Sequence, residues 1–426
     1  MSGRFLLLGS ILYMLFFAAI ATLHGGPMIL ALPLVVYLGM ALLNRPPNVQ
    51  LKIERIIAHE ILPFRAETKI RLLITNEGAH LEEVFIQDLL PRGMQVVDGD
   101  TIALASMPHG ETLEMSYTVR APRGGYEWEN VLVTAGDHLG VLRRRLYLPA
   151  PGRLIFLPDP PRVRKILIRP PRTHGHSGPI PSRKSGTGVD FMGLREYQMG
   201  DPRRWINWRA SARHENQLFV NQFEQERIAD VGIILDARQQ ADVVLRNGEA
   251  LFEHSVRATG AVAETFLNDG NRVGLLIYGF GMERVFPGYG KVQYKRISRA
   301  LGQARTGHNF ALESLRYLPT RFFPAGSQIV MVTPLQSNDL PAFTRLRATG
   351  YEVMVISPDP VDFEARALGI YGDLAWQIAK IERALLLHKL RRMGVRVLDW
   401  DVTKPFEPLV RNAFSRMPPV RRTVVS

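Results

Sequence analysis

The second half of the chain alternates short apolar runs with longer stretches of mixed polarity. Five such runs are Val231–Leu235, Val273–Tyr278, Ile329–Thr333, Glu352–Ile356 and Val395–Leu398. Each run is separated from the next by enough chain for a crossover helix, and apolar residues recur at helical spacing after the first run. Strands that alternate with helices form a parallel sheet covered by helices. The sequence therefore predicts an α/β domain over residues 229–426.

Two charge-free apolar runs, Phe5–Leu23 and Met28–Leu43, open the chain. A helix as long as the first run approaches the roughly 30 Å thickness of the bilayer core. We therefore predict a transmembrane helical hairpin over residues 1–45. A cleaved signal peptide is the alternative, but the second apolar run argues against it. Lys and Arg flank the hairpin and are missing from its connector, which predicts a multi-pass protein of the inner (plasma) membrane with its soluble domains in the cytoplasm.

Residues 46–157 carry the pattern of short strands. Leu113, Met115, Tyr117 and Val119 alternate with polar residues, a period of two that buries one face of a strand. Polar turns that contain glycine separate these runs. Short strands with such turns are typical of an antiparallel β-sandwich of immunoglobulin type, and we assign no chemistry to it.

The next segment, residues 158–187, is rich in Pro, Gly and Ser and is interpreted as a basic linker. From Arg153 to Arg213 there are 13 Lys and Arg against four Asp and Glu, so this region carries +9 of the chain's net charge of +13. Anionic lipid is one partner for this charge. The residues assigned to it are Arg162, Arg164, Lys165 and Arg169. Nucleic acid is disfavoured because the sequence contains no recognisable binding module for it.

Residues 188–228 combine arginines with large aromatic residues. An arginine beside Trp or Tyr can stack on the ring and bind a carboxylate with two hydrogen bonds. The ordered residues of this segment resemble the motif of the DUF58 family. They are Gly188, Asp190, Phe191, Arg195, Glu196, Tyr197, Gly200, Asp201, Arg204, Ile206, Trp208, Ala212, Arg213 and Glu226.

The resemblance implies a role for this motif in structure or in partner binding. We expect the segment to pack on the following α/β domain, with Arg195, Arg204 and Arg213 paired to acids of that domain. Proteins of the family are often encoded beside AAA+ ATPases of the MoxR type. The resemblance therefore implies such an ATPase as a partner, in the assembly or maturation of other proteins.

The α/β domain resembles a von Willebrand factor A domain, which is Rossmann-like, at its first strand and Asp236. In that fold an aspartate, two hydroxyl residues, a later threonine and a later aspartate hold a divalent cation through oxygen atoms. Here Arg238 and Gln240 stand where the two serines belong, and Thr333 stands where the last aspartate belongs. A guanidinium two residues from a single carboxylate disfavours a bound cation.

We therefore interpret Asp236 as the remnant of a degenerate metal site, retained for structure and paired with an arginine of the motif. The later threonine position falls near Thr306 or Asn309 without a clear match. The absence of cysteine excludes a thiol nucleophile and a cysteine zinc site. We expect neither a cofactor nor a working metal site.

These observations predict a multidomain, membrane-anchored interaction or scaffold protein that is not an enzyme. Two alternatives remain at this stage. One is a metal-dependent, ligand-binding von Willebrand A domain protein. The other is a hydrolase of an envelope polymer with Asp190, Glu196 and Asp201 as candidate acids, since glycoside hydrolysis uses paired carboxylates.

Overall fold

A computed structural model describes residues 3–43, 48–136, 143–168, 170, 171, 173, 180–213 and 217–414. The chain divides into two compact units, Met1–Leu157 and Pro158–Ser426. The chain as a whole is mixed α/β with several sheets. The finer domain boundaries given above stay predictions.

The first unit opens with helices α1 (Gly3–Thr22) and α2 (Gly26–Leu43), which contact each other. Side chains in this pair are described for residues 6–40. Within the described residues, no helix combines the length and the apolar character that a membrane span requires. This finding corrects the predicted transmembrane hairpin and, with it, the predicted multi-pass localisation at the inner membrane.

Among its described residues the first unit continues with nine strands, which form two sheets around one core. They are β1 (Leu51–Ile57), β2 (Ile61–Leu62), β3 (Glu67–Asn76), β4 (Leu81–Asp88), β5 (Gln95–Gly99), β6 (Ile102–Met107), β7 (Thr112–Arg120), β8 (Gly124–Gly136) and β9 (Arg143–Phe156). The strand orders are β1-β3-β7-β5 and β2-β9-β8-β4-β6. Met115, Tyr117 and Val119 of β7 point into the core, as their alternation predicts.

A buried ion pair lies inside this core. Arg55 of β1 donates from Nη1 and Nη2 to the carboxylate of Asp88 at 2.5 and 2.9 Å, and from Nε to the carbonyl of Ala150 at 3.1 Å. The Tyr117 hydroxyl donates to the same carboxylate. The Arg55 guanidinium lies 5.1 Å from the centre of the Trp128 ring. The side chains of Arg55 and Asp88 are fully buried. One positive and one negative charge therefore balance inside the sandwich.

The first two strands of the second unit form an antiparallel ribbon, β10 (Ile180–Glu196) and β11 (Phe219–Arg227). A 3-10 turn, Arg203–Trp205, and a short helix, α3 (Trp208–Ser211), lie between the two strands. We call the described residues of 193–222 the collar. Among the described residues, the main contacts of the ribbon run between its own strands and to these two elements. Packing of the whole motif on the α/β sheet stays a prediction.

The rest of the unit is a six-stranded sheet with helices on both faces. Its elements are β12 (Asp230–Ala237), α4 (Leu251–Asn268), β13 (Arg272–Gly279), β14 (Met282–Gly288), α5 (Gly290–Gln303), β15 (Gln328–Val332), α6 (Leu340–Ala348), β16 (Glu352–Pro358), α7 (Pro360–Leu368), α8 (Leu374–Arg392), β17 (Arg396–Trp400) and α9 (Phe406–Phe414). The strand order is β14-β13-β12-β15-β16-β17, and β14 runs antiparallel to β13 while the other pairs are parallel. The five predicted strands are confirmed.

The sequence did not predict β14. Its residues are half-buried or exposed and mix charged with apolar side chains, because it lies at the edge of the sheet. The central strands β12, β15 and β16 are buried along their whole length or nearly so, which gave them their continuous apolar runs. From β12 the chain first runs to β13 on one side and later to β15 on the other side. The carboxyl ends of β12 and β15 therefore flank a topological switch point, where open α/β sheets bind their ligands.

Candidate functional site

Four side chains meet at this switch point. Asp236 is the penultimate residue of β12, Arg238 follows two residues later, Thr333 comes directly after β15, and Asp339 precedes α6. Arg238 donates from Nε and Nη2 to the two oxygens of Asp236 at 2.8 and 2.7 Å. Its Nη1 and Nη2 donate to the two oxygens of Asp339, both at 3.0 Å. The Thr333 hydroxyl donates to Asp236 at 2.7 Å. We call these four residues the switch-point cluster.

The switch-point cluster is almost fully buried and carries an excess negative charge. Arg238 is 2% exposed, and Asp236 and Asp339 are each 1% exposed. Burial raises the pKa of Asp339, and Asp236 adds to this while the Arg238 guanidinium opposes it. Burial alone would lower the pKa of Arg238, but its hydrogen bonds to the two carboxylates outweigh that effect and raise it. Two carboxylates thus compete for one guanidinium.

Backbone groups complete the surroundings of Arg238. Its Nη1 also donates to the carbonyl of Glu313 at 3.1 Å, and the Gln240 side chain donates to the same carbonyl at 2.7 Å. A small open cleft borders this contact. Gly279 at the end of β13 approaches so closely that a Cβ there would lie 2.1 Å from the backbone carbon of Ala237. Only glycine fits this position without moving the loop that carries Arg238.

The sequence identified part of the switch-point cluster and missed the rest. Asp236 was expected to pair with an arginine of the motif, but its partner is Arg238, which replaces the first serine of the resemblance. Thr306 and Asn309, the two candidates for the later threonine, bind elsewhere: Thr306 donates to Asp242, and Asn309 donates to the carbonyl of Phe280. Asp236 pairs with Arg238 and not with an arginine of the motif because Arg238 is only two residues away and its side chain folds back onto the carboxylate.

Asp339 was missed because its local sequence resembles a helix start. It lies 101 residues from Arg238, and its carboxylate also accepts from the backbone N–H of Gln336 at 3.0 Å. Together Gln336 and Asp339 form a capping box before α6. A capping residue needs no partner outside its own turn. The sequence therefore carried no signal for its second bond to Arg238.

The same edge of the sheet holds a second buried arginine. Arg383 of α8 donates to the carbonyl of Pro334 at 2.9 Å, to the hydroxyl of Ser357 at 2.9 Å and to Asp399 at 2.7 Å. Its Nε lies 3.3 Å from a carboxylate oxygen of Asp359. These partners lie at or just after the carboxyl ends of β15, β16 and β17. Arg383 therefore binds α8 to the carboxyl ends of three strands.

An ion pair in the collar links Arg195 to Asp201. Arg195 donates from its two terminal nitrogens to the two oxygens of Asp201 at 2.7 and 2.6 Å. The backbone N–H of Gln198 donates to the same carboxylate, and Gly200 has a positive φ of 110° that closes the turn. The bonds from Arg195 and Gln198 lower the pKa of Asp201. Asp201 is therefore poorly suited to act as a general acid. Tyr197 donates from its backbone N–H to Leu218 across the ribbon.

The remaining arginines of the collar face solvent. Arg203, Arg204, Arg209 and Arg213 are exposed, and they make no ion pair with another described residue. Trp208 is 67% exposed, although the side chain of Asn207 caps the helix that Trp208 begins. The predicted pairing of Arg195, Arg204 and Arg213 with acids of the following domain is therefore corrected. Arg195 binds within its own segment, because the turn at Gly200 brings Asp201 back to it.

The remaining acidic residues of the motif are Glu196, Asp190 and Glu226. Glu196 ends β10 and is exposed. Asp190 and Glu226 lie in β10 and β11, but their side chains are outside the described residues. Within the part of the chain that the structure describes, no group of three or more His, Asp or Glu residues is placed to hold a metal ion.

Comparison with protein families shows a match over part of the chain. A family model described as a protein of unknown function, DUF58, matches residues 193–387. This range begins in the collar and ends in α8, so the resemblance seen in the sequence is confirmed over these residues. The uncharacterized protein YeaD of Bacillus subtilis (strain 168) is 27% identical over 224 residues, which are 51% of this chain and 53% of YeaD. The chain thus spans about half the length of this curated relative.

Two solved structures resemble parts of the chain. The FixG-related protein from Vibrio parahaemolyticus shares 13% identity and covers 25% of this chain and 95% of its own, with a TM-score of 0.18. The CARDB domain of a Pyrococcus furiosus protein shares 10% identity and covers 27% of this chain and 94% of its own, also with a TM-score of 0.18. Neither similarity supports a conclusion about function.

Proposed function

We propose that this chain is a non-enzymatic adaptor that binds another protein through the collar. The observation that carries this proposal is the contrast within the collar. One arginine, Arg195, is locked to Asp201, while Arg203, Arg204, Arg209 and Arg213 remain exposed beside an exposed Trp208. Trp and Arg are the residue types that dominate the binding energy of protein interfaces. The Arg195–Asp201 pair keeps the turn ordered, which lowers the entropy lost when a partner binds.

The second unit is, in this proposal, a von Willebrand A-like domain that needs no cation. The guanidinium of Arg238 lies between the carboxylates of Asp236 and Asp339. The Thr333 hydroxyl donates to the same Asp236 carboxylate. Hard cations are held by oxygen ligands of this kind. A fixed positive charge therefore stands where a cation would otherwise neutralise these carboxylates. We infer that partner binding does not depend on a bound metal ion.

The collar's charge defines the chemistry of the partner. Four exposed arginines in a short segment favour an acidic protein surface, and such complementarity speeds association more than it tightens it. From the resemblance to DUF58 proteins, we propose an AAA+ ATPase of the MoxR type as this partner, in the assembly or maturation of other proteins. Binding should weaken as the salt concentration rises.

The test is a binding titration between the purified full chain and the MoxR-type ATPase of the same organism. The double variant Arg204→Glu/Trp208→Ala should raise the dissociation constant at least about tenfold, since each residue is a candidate hot spot. The matched control is Arg145→Glu/Tyr147→Ala on β9, where both residues are also exposed. This control should bind like the wild type.

Two results would contradict the proposal. Equal affinity of the collar variant and the wild type would show that the collar is not part of the interface. Loss of binding on addition of a chelator would show that a cation is required, which favours the metal-dependent alternative. Thermal unfolding of all variants provides the check on folding, because exposed substitutions should change the free energy of unfolding by less than about 0.5 kcal/mol.

A further inference from the structure

Helix α8 is fixed to the α/β sheet by one face. Arg383 binds the carboxyl ends of the strands, and Lys380 donates to Asp359 at 2.7 Å and to Asp362 at 3.1 Å. Leu387 and Leu390 are 2% and 0% exposed in the core between α8 and the sheet. These contacts leave α8 no freedom to rotate. The side chains on its other face are therefore held outward by the fold.

That outward face is apolar. Leu374, Ile378, Ile381 and Leu385 are 71%, 51%, 61% and 55% exposed. Just before the helix, Leu368 and Tyr371 are 52% and 53% exposed. The four helix residues follow spacings of four, three and four, which is the alternation of the apolar seam in a coiled coil. A soluble surface helix normally has charged or polar residues there. The described residues of the second unit leave this seam exposed.

We propose that this seam binds the same seam of a second copy of this chain, with the two α8 helices antiparallel. Antiparallel pairing sets Leu374 against Leu385 of the partner subunit and Ile378 against Ile381 of the partner subunit. Each apolar side chain then meets another of similar size about a twofold axis. A surface that is self-complementary in this way is what a symmetric dimer requires. The interaction goes beyond the proposed adaptor function and uses different residues.

The flanking residues favour this arrangement. Beside the seam lie Ala375, Gln377, Glu382 and Ala384, of which only Glu382 is charged. Small neutral neighbours allow two helices to approach closely. The end of α8 is basic, with Lys389, Arg391 and Arg392 in its last turn. A parallel pair would place these two basic ends side by side, whereas the antiparallel pair separates them and brings each towards the end that carries Asp373.

The available area suits a dimer of moderate affinity. Covering the six exposed apolar side chains on both copies would bury roughly 1,000 Å² in total, near the lower limit of specific protein interfaces. We therefore expect a dissociation constant in the micromolar range. Dimers should dominate at about 100 µM protein and dissociate on dilution.

Sedimentation of the full chain over a dilution series provides the first test. Ile381→Asp should raise the dissociation constant of the dimer at least tenfold, because it places a charge at the centre of the seam. The matched control is Val292→Asp on α5, where Val292 is 66% exposed and outside the seam. The control should sediment like the wild type. Both variants should keep the wild-type melting temperature, since both positions are exposed.

Disulfide trapping tests the orientation, and the natural absence of cysteine makes it unambiguous. A mixture of the separate variants Leu374→Cys and Leu385→Cys should form a cross-linked heterodimer under mild oxidation. Either variant alone should not cross-link, because its two copies would lie about 16 Å apart along the helix axes. Cross-linking of Leu374→Cys to itself would contradict the antiparallel pair.

Three further results would overturn the proposal. A wild-type chain that remains monomeric at about 100 µM would show that the seam does not self-associate. A dimer that Ile381→Asp leaves unchanged would place the interface on another surface. If Ile381→Asp instead abolished binding of a different protein to a monomeric chain, the seam would belong to that protein and not to a second copy.

Discussion

Arg55 in the first unit and Arg238 in the second are both buried, and both bind carboxylates through paired hydrogen bonds. Their surroundings differ in charge. Arg55 meets the single carboxylate of Asp88, which Tyr117 also binds, so its site is electrically balanced. Arg238 meets Asp236 and Asp339, so its site keeps one negative charge in excess.

Their positions in the fold differ as well. Arg55 lies between two sheets, with the Trp128 ring beside its guanidinium. Arg238 lies at the carboxyl ends of β12 and β15, next to a small cleft and to the exposed Gln240. The balanced pair joins β1 to β4 across the core of the sandwich. In the proposed function, Arg238 of the unbalanced cluster supplies the positive charge that a cation would otherwise supply.

The largest effect is expected from Arg55→Ala. This change leaves the Asp88 carboxylate buried without a cation, which should lower the free energy of unfolding of the first unit by about 3 to 5 kcal/mol. Chemical denaturation monitors it. Arg71→Ala is the control, because its ion pair with Glu114 spans 3.9 Å between half-exposed side chains. That control should change the stability by less than about 1 kcal/mol.

The variant Arg238→Ser tests whether the Arg238 site differs from the Arg55 site in its ability to bind a cation. It should destabilise the second unit by about 3 kcal/mol, because two buried carboxylates lose their counter-charge. Millimolar Mg²⁺ should then raise the melting temperature of this variant, since a cation that binds only the folded state stabilises it. Mg²⁺ should leave the wild type and Arg55→Ala unchanged. An equal response of all three proteins would remove the idea that Arg238 replaces a cation.

Two glycine variants compare how tightly the backbone is packed at each site. In Gly279→Ala the new Cβ would meet the backbone of Ala237, whereas in Gly152→Ala it would meet the Arg55 side chain 2.4 Å from Cδ. Backbone cannot rotate away, so Gly279→Ala should cost about 2 kcal/mol or more and Gly152→Ala about 1 kcal/mol. Gly136→Ala is the control, because its nearest neighbour is at 3.6 Å. The opposite order of the two costs would show that the loop at Arg238 is adaptable.

The smallest effect concerns pH. The pKa of Asp339 is raised by burial, so the folded state binds its proton more tightly than the unfolded state does. The stability that comes from this tighter proton binding is therefore fully present below the ordinary carboxyl pKa. It is lost as the pH rises through the raised pKa. Relative to Asp339→Asn, the wild type should lose stability over this range of pH. If the stabilities of the two proteins changed with pH in the same way, the pKa of Asp339 would not be raised in the folded state.

The five strands that were predicted from apolar runs are present, because each lies in the middle of the sheet or is covered by helices. The edge strand β14 and Asp339 were not predicted. β14 is half-buried or exposed along its length and therefore shows little apolar pattern. Asp339 lies 101 residues from Arg238, and nothing in the sequence indicates that the two come into contact. Arg195, Arg204 and Arg213 were predicted to pair with acids of the following domain, yet Arg195 pairs with Asp201 of its own segment and the other two are exposed.

The sequence by itself determined the alternation of strands and helices, the concentration of positive charge before the α/β sheet, and the presence of Arg238 beside Asp236. These properties depend on residue type and on neighbours along the chain. Only the tertiary structure decided that Arg238 joins two carboxylates, and that one apolar face of α8 is left outward. Both depend on which distant segments the sheet brings together, because burial and charge balance are properties of the folded arrangement.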